Sequence, residues 1–260
     1  MQVDWLVTLL QNFLLVALRT GCLMFFWPVW DYRVVPRQVK VFSMLVIAMA
    51  LTPAVSPYLP AFPATWPAAV SLGLREVLLG LGVGVIIRAI FAGVQMAGNL
   101  AALYMGFSMV TLFDPQTQEQ NTVIADFLML VALLLFLALE VHHALLRLLA
   151  QSFVDLPLGD LKALPLQASH LLVGLGTLAF RLAVCLMAPV FSVLFLMQLT
   201  LGFLSRAVPQ IQIMILSFPL TIALGLLFFS LTLMFVGVSL QEQFSGLKTP
   251  LNQWLKAWQG

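Results

Sequence analysis

Apolar residues run along this chain in long unbroken blocks, not in alternation. Stretches such as LMLVALLLFLALE (128–140) and LGLLFFSLTLMFVGVSL (224–240) hold scarcely a polar position. A lipid-spanning segment must satisfy its own backbone, so it is a helix of about 20 apolar residues or a strand of a closed barrel. Barrel strands alternate apolar and polar positions over about ten residues. That pattern is absent, and the blocks predict helices: the fold class is all-α.

The blocks differ in length and in what interrupts them. Residues 5–30 form one apolar run with Arg19 at its middle, and residues 41–52 give a short run before Pro53, Pro57, Pro60, Pro63 and Pro67. Residues 68–113 carry Arg75 and Glu76 near the start, Arg88 inside and many glycines; residues 127–139 are uncharged up to Glu140, His142 and His143. Residues 182–205 contain Pro189, and residues 207–241 contain Pro209 and Pro219. Runs shorter than about 17 residues are more often re-entrant, interfacial or protein-buried, and each proline frees a carbonyl that needs another partner. The expectation is a set of short or bent segments packed against other protein, in a subunit of a hydrophobic assembly. Small residues at Gly80, Gly84, Gly93 and Gly98 predict close approach of helix backbones. GLGVG resembles a dinucleotide fingerprint only superficially, because no strand precedes it and no soluble helix follows.

Composition turns this reading into a class. Hydrophobic residues make up 62% of the 260 and charged residues 8%, with a mean hydropathy of +1.06. A soluble domain has about 25% charged residues, so most of this surface does not face water. The chain reads as an integral membrane protein, not a soluble enzyme, a disordered chain or a disulfide-rich secreted domain. The net charge is only +2, and the densest basic group is the loose set Arg33, Arg37, Lys40. No nucleic-acid partner is expected, since that requires clustered cations. The positive-inside rule puts this basic loop in the cytoplasm. The first residues hold Asp4 and no basic region, unlike a cleavable secretory signal. Cys22 and Cys185 read as buried small hydrophobes. The six tryptophans (Trp5, Trp27, Trp30, Trp66, Trp254, Trp258) fall near segment ends or in the tail, as in an interfacial aromatic belt. In the tail, Trp254 and Trp258 are four residues apart with Lys248 and Lys256 nearby, which predicts a short amphipathic interfacial helix over 244–260.

Candidate chemistry is sparse. Glu140, His142 and His143 end an apolar block, but a third or fourth metal ligand is not at hand, HExxH is absent, and His170 stands apart. No catalytic constellation, metal site or cofactor site is expected. The unusual segment is residues 106–121, GFSMVTLFDPQTQEQN. Gly106 begins it, Phe107, Met109, Val110, Leu112 and Phe113 make it apolar, and Asp114-Pro115 turns it polar. Such a loop is buried in protein or closes a cavity, and Met105 with Met109 suits a deformable seal. An ordinary buried helix connection fits these residues equally. The rival functional class is a lone secondary transporter or ion channel, using Arg19, Arg88, Asp126, Glu140 and Arg181 as its pathway. No clear internal repeat supports it.

The segments FLLVALRTGCLMFFWPVWDYRVVPRQVKV (13–41), GVQMAGNLAALYMGFSMVTLFDPQTQEQN (93–121) and LTLGFLSRAVPQIQIMILSFPLTIALGLL (199–227), in that order, resemble the FliR family of flagellar type III export gates, whose virulence counterpart is SctT. The likeness covers about residues 10–235. It looks flagellar, because the virulence family commonly shows Asp-Asn-Gln-Arg-Gly where this chain has Ala102 to Gly106. Glu140 departs from the small residue or Asn that the family often carries there. The resemblance implies a FliP-like helical part over 1–160, a FliQ-like helical hairpin over 161–243 and a tail over 244–260. It implies a non-enzymatic subunit that joins FliP and FliQ homologues (usually five FliP, four FliQ, one FliR) in a closed pore for unfolded flagellar proteins, contacted by FlhB. The location implied is the bacterial inner membrane at the flagellar basal body, with the core toward the periplasm. By the same resemblance Gly106, Phe107, Ser108, Met109, Val110, Thr111, Leu112, Phe113, Asp114, Pro115 and Gln116 form a pore plug. Arg206, Gln210, Gln212 and Pro219 approach the lower pore mouth or a subunit interface.

Overall fold

In the computed structural model, which describes residues 2–31, 35–59, 62–63, 65–107, 122–156, 166–207 and 213–258, the regular structure among the described residues is helical throughout. Eight α-helices follow in order: α1 (Gln2–Phe25), α2 (Arg37–Val55), α3 (Trp66–Tyr104), α4 (Val123–Ala138), α5 (Val141–Asp155), α6 (Leu166–Ala207), α7 (Ile213–Gly246) and α8 (Lys248–Ala257). Single 3-10 turns lie at Pro28–Asp31 and Ser56–Tyr58. Five stretches are long and apolar enough to cross a membrane, and α4 with α5 adds a sixth if the pair is one broken span. The chain is an all-α polytopic membrane protein, as its apolar blocks predict.

The expectation of short or bent segments holds for α4 and α5, of 16 and 15 residues and bent by 62° to each other, but not for the longest helices. Helix α3 has 39 residues, α6 has 42 and α7 has 34. At 1.5 Å per residue α6 extends about 63 Å, roughly twice the hydrocarbon thickness. Pro53, Pro189 and Pro219 lie inside helices α2, α6 and α7 and do not end them. A proline removes one intrahelical bond, whereas breaking an apolar helix leaves several backbone groups without water to satisfy them. The smaller penalty wins.

By their contacts the described residues form two compact units. The first comprises Met1–Ala89, Glu140–Gly176 and Gly246–Gly260. Its core is organised around the charge that the sequence places in the middle of an apolar run. Arg19 on α1 is 1% exposed and Glu76 on α3 is fully buried. The guanidinium grips the carboxylate in a fork, Nε to Oε2 at 2.6 Å and Nη2 to Oε1 at 2.9 Å. The remaining Nη1 donates to Ser152 Oγ on α5 at 2.9 Å, and that hydroxyl donates onward to the Leu149 carbonyl at 2.7 Å. The Phe153 ring covers the cation, with its centroid 4.0 Å from Cζ. One side chain thus ties α1, α3 and α5 together. Close backbone approach supplements it: a methyl placed on Gly80 would strike the Arg19 carbonyl, and one on Gly84 would lie 2.8 Å from the Phe26 ring.

Helix α8 also belongs to this unit, and here the structure corrects the expected interfacial tail. Trp254 is 2% exposed, and Leu251, Leu255 and Trp258 are buried with it. The Trp254 ring fills the notch left by Gly82 on α3, its indole N–H donates to the Leu79 carbonyl at 3.3 Å, and Trp258 packs edge-on at 6.0 Å. The apolar face of this short helix meets protein, because a notch shaped for an indole removes more apolar surface from water than a headgroup layer does. Trp27 is likewise buried, while Trp66 is largely exposed, so the aromatic belt reading fails for at least Trp27, Trp254 and Trp258.

The second unit comprises Ile90–Leu139 and Thr177–Ser245. Here the glycines on the later part of α3 do the same work. A methyl on Gly93 would lie 2.8 Å from the Ala179 carbonyl of α6, and one on Gly98 would strike the backbone of Ala125 at the start of α4. Phe91, Phe136 and Phe244, from α3, α4 and α7, close a triangle of rings with centroids 5.8 to 5.9 Å apart. Helices α6 and α7 meet where the Thr221 hydroxyl faces Met197 Sδ. Cys185 on α6 is exposed, against the buried expectation, and Cys22 is half-buried.

Two outcomes follow from the first unit. Replacing Glu76 with Ala leaves a buried cation without its carboxylate, and the thermal midpoint in detergent should fall by the equivalent of about 3–5 kcal/mol. The double change Arg19→Met with Glu76→Leu should recover most of that loss; a double variant no better than the single one contradicts this account of the pair. Gly82→Ala drives a methyl into the Trp254 ring, so trypsin should cut at Lys248 and Lys256 faster than in the parent. Equal cleavage rates would show that the notch does not hold the tail.

Candidate functional site: the stem of the 106–121 loop

The apolar loop singled out by sequence begins at the end of α3. Tyr104 is the last helical residue; Gly106 follows in the left-handed region at φ +84°. The Phe107 N–H donates to the Ala102 carbonyl at 2.9 Å and the Gly106 N–H to the Leu103 carbonyl at 3.1 Å. This paired arrangement is the glycine stop of a helix, which satisfies carbonyls that would otherwise end unbonded. The sequence reading that irregular backbone starts at Gly106 is therefore met by the structure.

The other end of the loop is held by the start of α4. Thr122 caps that helix, its hydroxyl accepting from the Ala125 N–H at 3.3 Å. The Thr122 hydroxyl and backbone N–H both donate to Asn99 Oδ1 on α3, at 3.2 and 3.4 Å. Because Gly98 admits the Ala125 backbone at the same level, the point on α3 to which the chain returns at Thr122 lies about two turns from the point where it left. Sequence inspection passes over Asn99; its only signal is a polar side chain in an apolar helix about two turns before Gly106.

Helix α7 braces the exit. The Phe218 ring lies 3.5 Å from where a Cβ on Gly106 would stand, and Met105 Cγ occupies the space a methyl on Gly225 would need, at 2.6 Å. Met105 is fully buried and packs in the stem against Gly225. Tyr104 packs edge-on against Phe191 of α6 at 4.8 Å. Phe107 is half-buried where the stem ends.

Of the remaining candidate residues, Ser108, Met109, Val110, Thr111, Leu112, Phe113, Asp114, Pro115 and Gln116 lie outside the described residues, as do Gln210 and Gln212. Arg206 is exposed in the last turn of α6, and Pro219 is exposed near the start of α7. The Phe218 ring stands 3.5 Å from where a Cβ on Gly106 would lie, while Pro219 itself is exposed. The Glu140 corner is a backbone feature: Glu140 is left-handed at φ +52°, heads α5, and its carboxylate stands 3.7 Å from His143 Nδ1 with both side chains largely in the open.

Long apolar helices, buried charge held in a fork, and an apolar loop on a rigid stem define the class: a polytopic helical membrane protein whose distinctive element is that loop. Residues 10–247 match the model of the bacterial export proteins, family 1. The flagellar biosynthetic protein FliR of Escherichia coli (strain K12) is 35% identical over 206 residues, 76% of this chain and 75% of its own. That of Bacillus subtilis (strain 168) is 28% identical over 248 residues, 92% and 93% of the two chains, and that of Aquifex aeolicus (strain VF5) 26% over 244 residues, 93% and 91%. The chain belongs to family 1 of the bacterial export proteins, the FliR family.

Gly106→Ala should lower the thermal midpoint by the equivalent of about 1–2 kcal/mol, since a Cβ disfavours the left-handed conformation. Gly106→Asn should lose less, because asparagine tolerates that region better. Equal losses would point to the Phe218 contact and not the backbone as the reason for glycine.

Proposed function

We propose that this protein is a non-enzymatic subunit of the flagellar protein export gate in the bacterial inner membrane. With FliP and FliQ homologues, in the usual five, four and one arrangement, it forms a closed pore for unfolded flagellar proteins, at the basal body with its core toward the periplasm and in contact with FlhB. Residues 1–160 act as the FliP-like part, residues 161–243 as the FliQ-like hairpin, and the 106–121 loop as the plug. Arg206, Gln210, Gln212 and Pro219 lie toward the lower mouth and neighbouring subunits.

Family membership supports the flagellar assignment, and the stem carries the plug reading. A loop of apolar residues whose two ends are fixed by a glycine stop, a threonine cap and the Asn99 clamp is a tethered seal: its base stays while its tip is displaced. Large apolar side chains left exposed by this chain alone, such as Phe42 and Met49 on α2 and Leu231 and Met234 on α7, suit a subunit surrounded by lipid and sister chains. The lone-transporter alternative draws no support from Arg19, which is spent on Glu76 in a dry core.

Deleting residues 106–116, or replacing Phe107, Met109 and Phe113 with Ala, removes apolar contact at about 25 cal/mol per Å2 and should raise the ion conductance of the purified complex in a planar bilayer. Unchanged conductance in a complex of unchanged size would end the plug assignment. Recovery of the chain without FliP and FliQ homologues after co-expression and mild solubilisation would end the subunit assignment.

A further inference from the structure

We propose that the outer face of α6 around Arg181 is the docking surface for a membrane helix of a neighbouring chain that brings an aspartate or glutamate to this arginine. The inference rests on the subunit reading above and adds to it the position and chemistry of one contact. Arg181 is the only charged residue between the ends of the 37-residue apolar stretch His170–Arg206. It is exposed, and it forms no ion pair or hydrogen bond with any described residue.

Two observations select protein as what covers this face. Residues 171–180 and 182–205 hold no charged side chain, so apolar helix continues for about 15 Å on one side of Arg181 and about 36 Å on the other. Snorkelling carries a charged head only as far as its own stem reaches, which is less than either distance. Phe180 and Val184, beside the arginine, are also exposed, so the face is apolar apart from the guanidinium. An intramembrane cation in such surroundings pairs with another group. The opposite face of α6 is already occupied: Leu182, Ala183 and Leu186 are buried, and α3 approaches the Ala179 carbonyl at Gly93.

The chemistry of the partner follows from the other arginine that this chain carries inside an apolar run. Arg19 is held by the carboxylate of a facing helix, and Gly80 at that crossing lets α3 approach the Arg19 backbone. Around Arg181 the positions one turn away on either side are small, Thr177 and Cys185, and Ala188 continues the row; all three are exposed. A helix laid along this row comes close enough for a short carboxylate to meet the guanidinium fork. Charge then decides the residue. A neutral partner side chain would leave the cation uncompensated as the helices close and water leaves.

The test uses the full chain co-expressed with FliP and FliQ homologues, carrying Cys22→Ser so that Cys185 is its one thiol. Maleimide, read by the mass of this chain, should label Cys185 at least about tenfold more slowly in the purified complex than in the chain purified alone. Arg181→Glu should lower recovery of the chain in that complex at least about fivefold, with the thermal midpoint of the isolated chain unmoved, and Arg181→Lys should assemble nearly as the parent does. Suppressors selected on Arg181→Glu for restored assembly should replace an acidic residue of a neighbouring chain with Lys or Arg. Equal labelling in the two preparations, Arg181→Glu recovered in the complex like the parent, or suppressors confined to this chain would overturn the proposal while the subunit reading stands. Protection of Cys185 in the isolated chain by phosphatidylglycerol vesicles, with assembly indifferent to Arg181→Glu, would assign the face to lipid and likewise overturn it. A parent chain that never enters a complex would end the subunit reading, and this contact with it.

Discussion

Glycine at the crossing points of one helix is the constraint from which the rest of this architecture follows. Helix α3 presents Gly80, Gly82 and Gly84 to α1, α8 and the turn after α1, then Gly93 and Gly98 to α6 and α4. Apolar side chains give no net preference between a neighbouring helix and lipid, so helices in a membrane associate through close packing and polar contacts. A helix without Cβ atoms at the crossing points lets backbones approach to a distance that larger residues forbid. The result is visible in burial: 61% of the most apolar window of α3 lies inside the protein, against 17% for α2. Among the described long apolar helices α3 is the most buried and α2 the least.

Close approach alone does not choose which faces meet, and the Arg19–Glu76 pair supplies that choice in the first unit. An arginine at mid-membrane costs about 2.5–3.5 kcal/mol on insertion scales, and a lone buried carboxylate is no cheaper. The two are tolerable only together, with Ser152 and Phe153 taking up the remaining donor and the face of the guanidinium. A pair of this kind adds little net stability over apolar replacements. What it does is exclude every register of α1 against α3 that separates the two charges.

The fold class, the helix-packing glycines and the stop at Gly106 were all legible in the sequence, because each rests on local chemistry: run length, absence of Cβ, and left-handed backbone. Arg19 was legible as a problem but not as a solution, since its partner lies 57 positions away and Glu76 has the cation Arg75 beside it as a nearer candidate. The lengths of α3, α6 and α7 were misread, because a proline signals the loss of one bond while the environment sets the cost of losing the rest. The tail was misread for a related reason. Its amphipathic spacing specifies that one face is apolar, but whether that face meets lipid or protein depends on a notch at Gly82, 172 residues earlier. Likewise Asn99 has no meaning until Thr122 is brought to it.

If the loop is the proposed plug, the same division between local and distant causes lets a seal be built on a fixed stem. Everything that fixes the stem is short-range and polar or steric: two backbone bonds at Gly106, the cap at Thr122, the Asn99 clamp, and the close fit of Gly106 and Met105 to Phe218 and Gly225 of α7. These contacts are directional and vanish if displaced by an ångström. In that proposal the loop between them is held by apolar burial, which is non-directional and falls off in proportion to area. On the proposed reading, a passing chain of varied sequence offers replacement apolar area to the loop but no substitute for the bonds of its stem. The tip therefore yields while the base holds, and the seal reforms from the same anchor once the chain has passed.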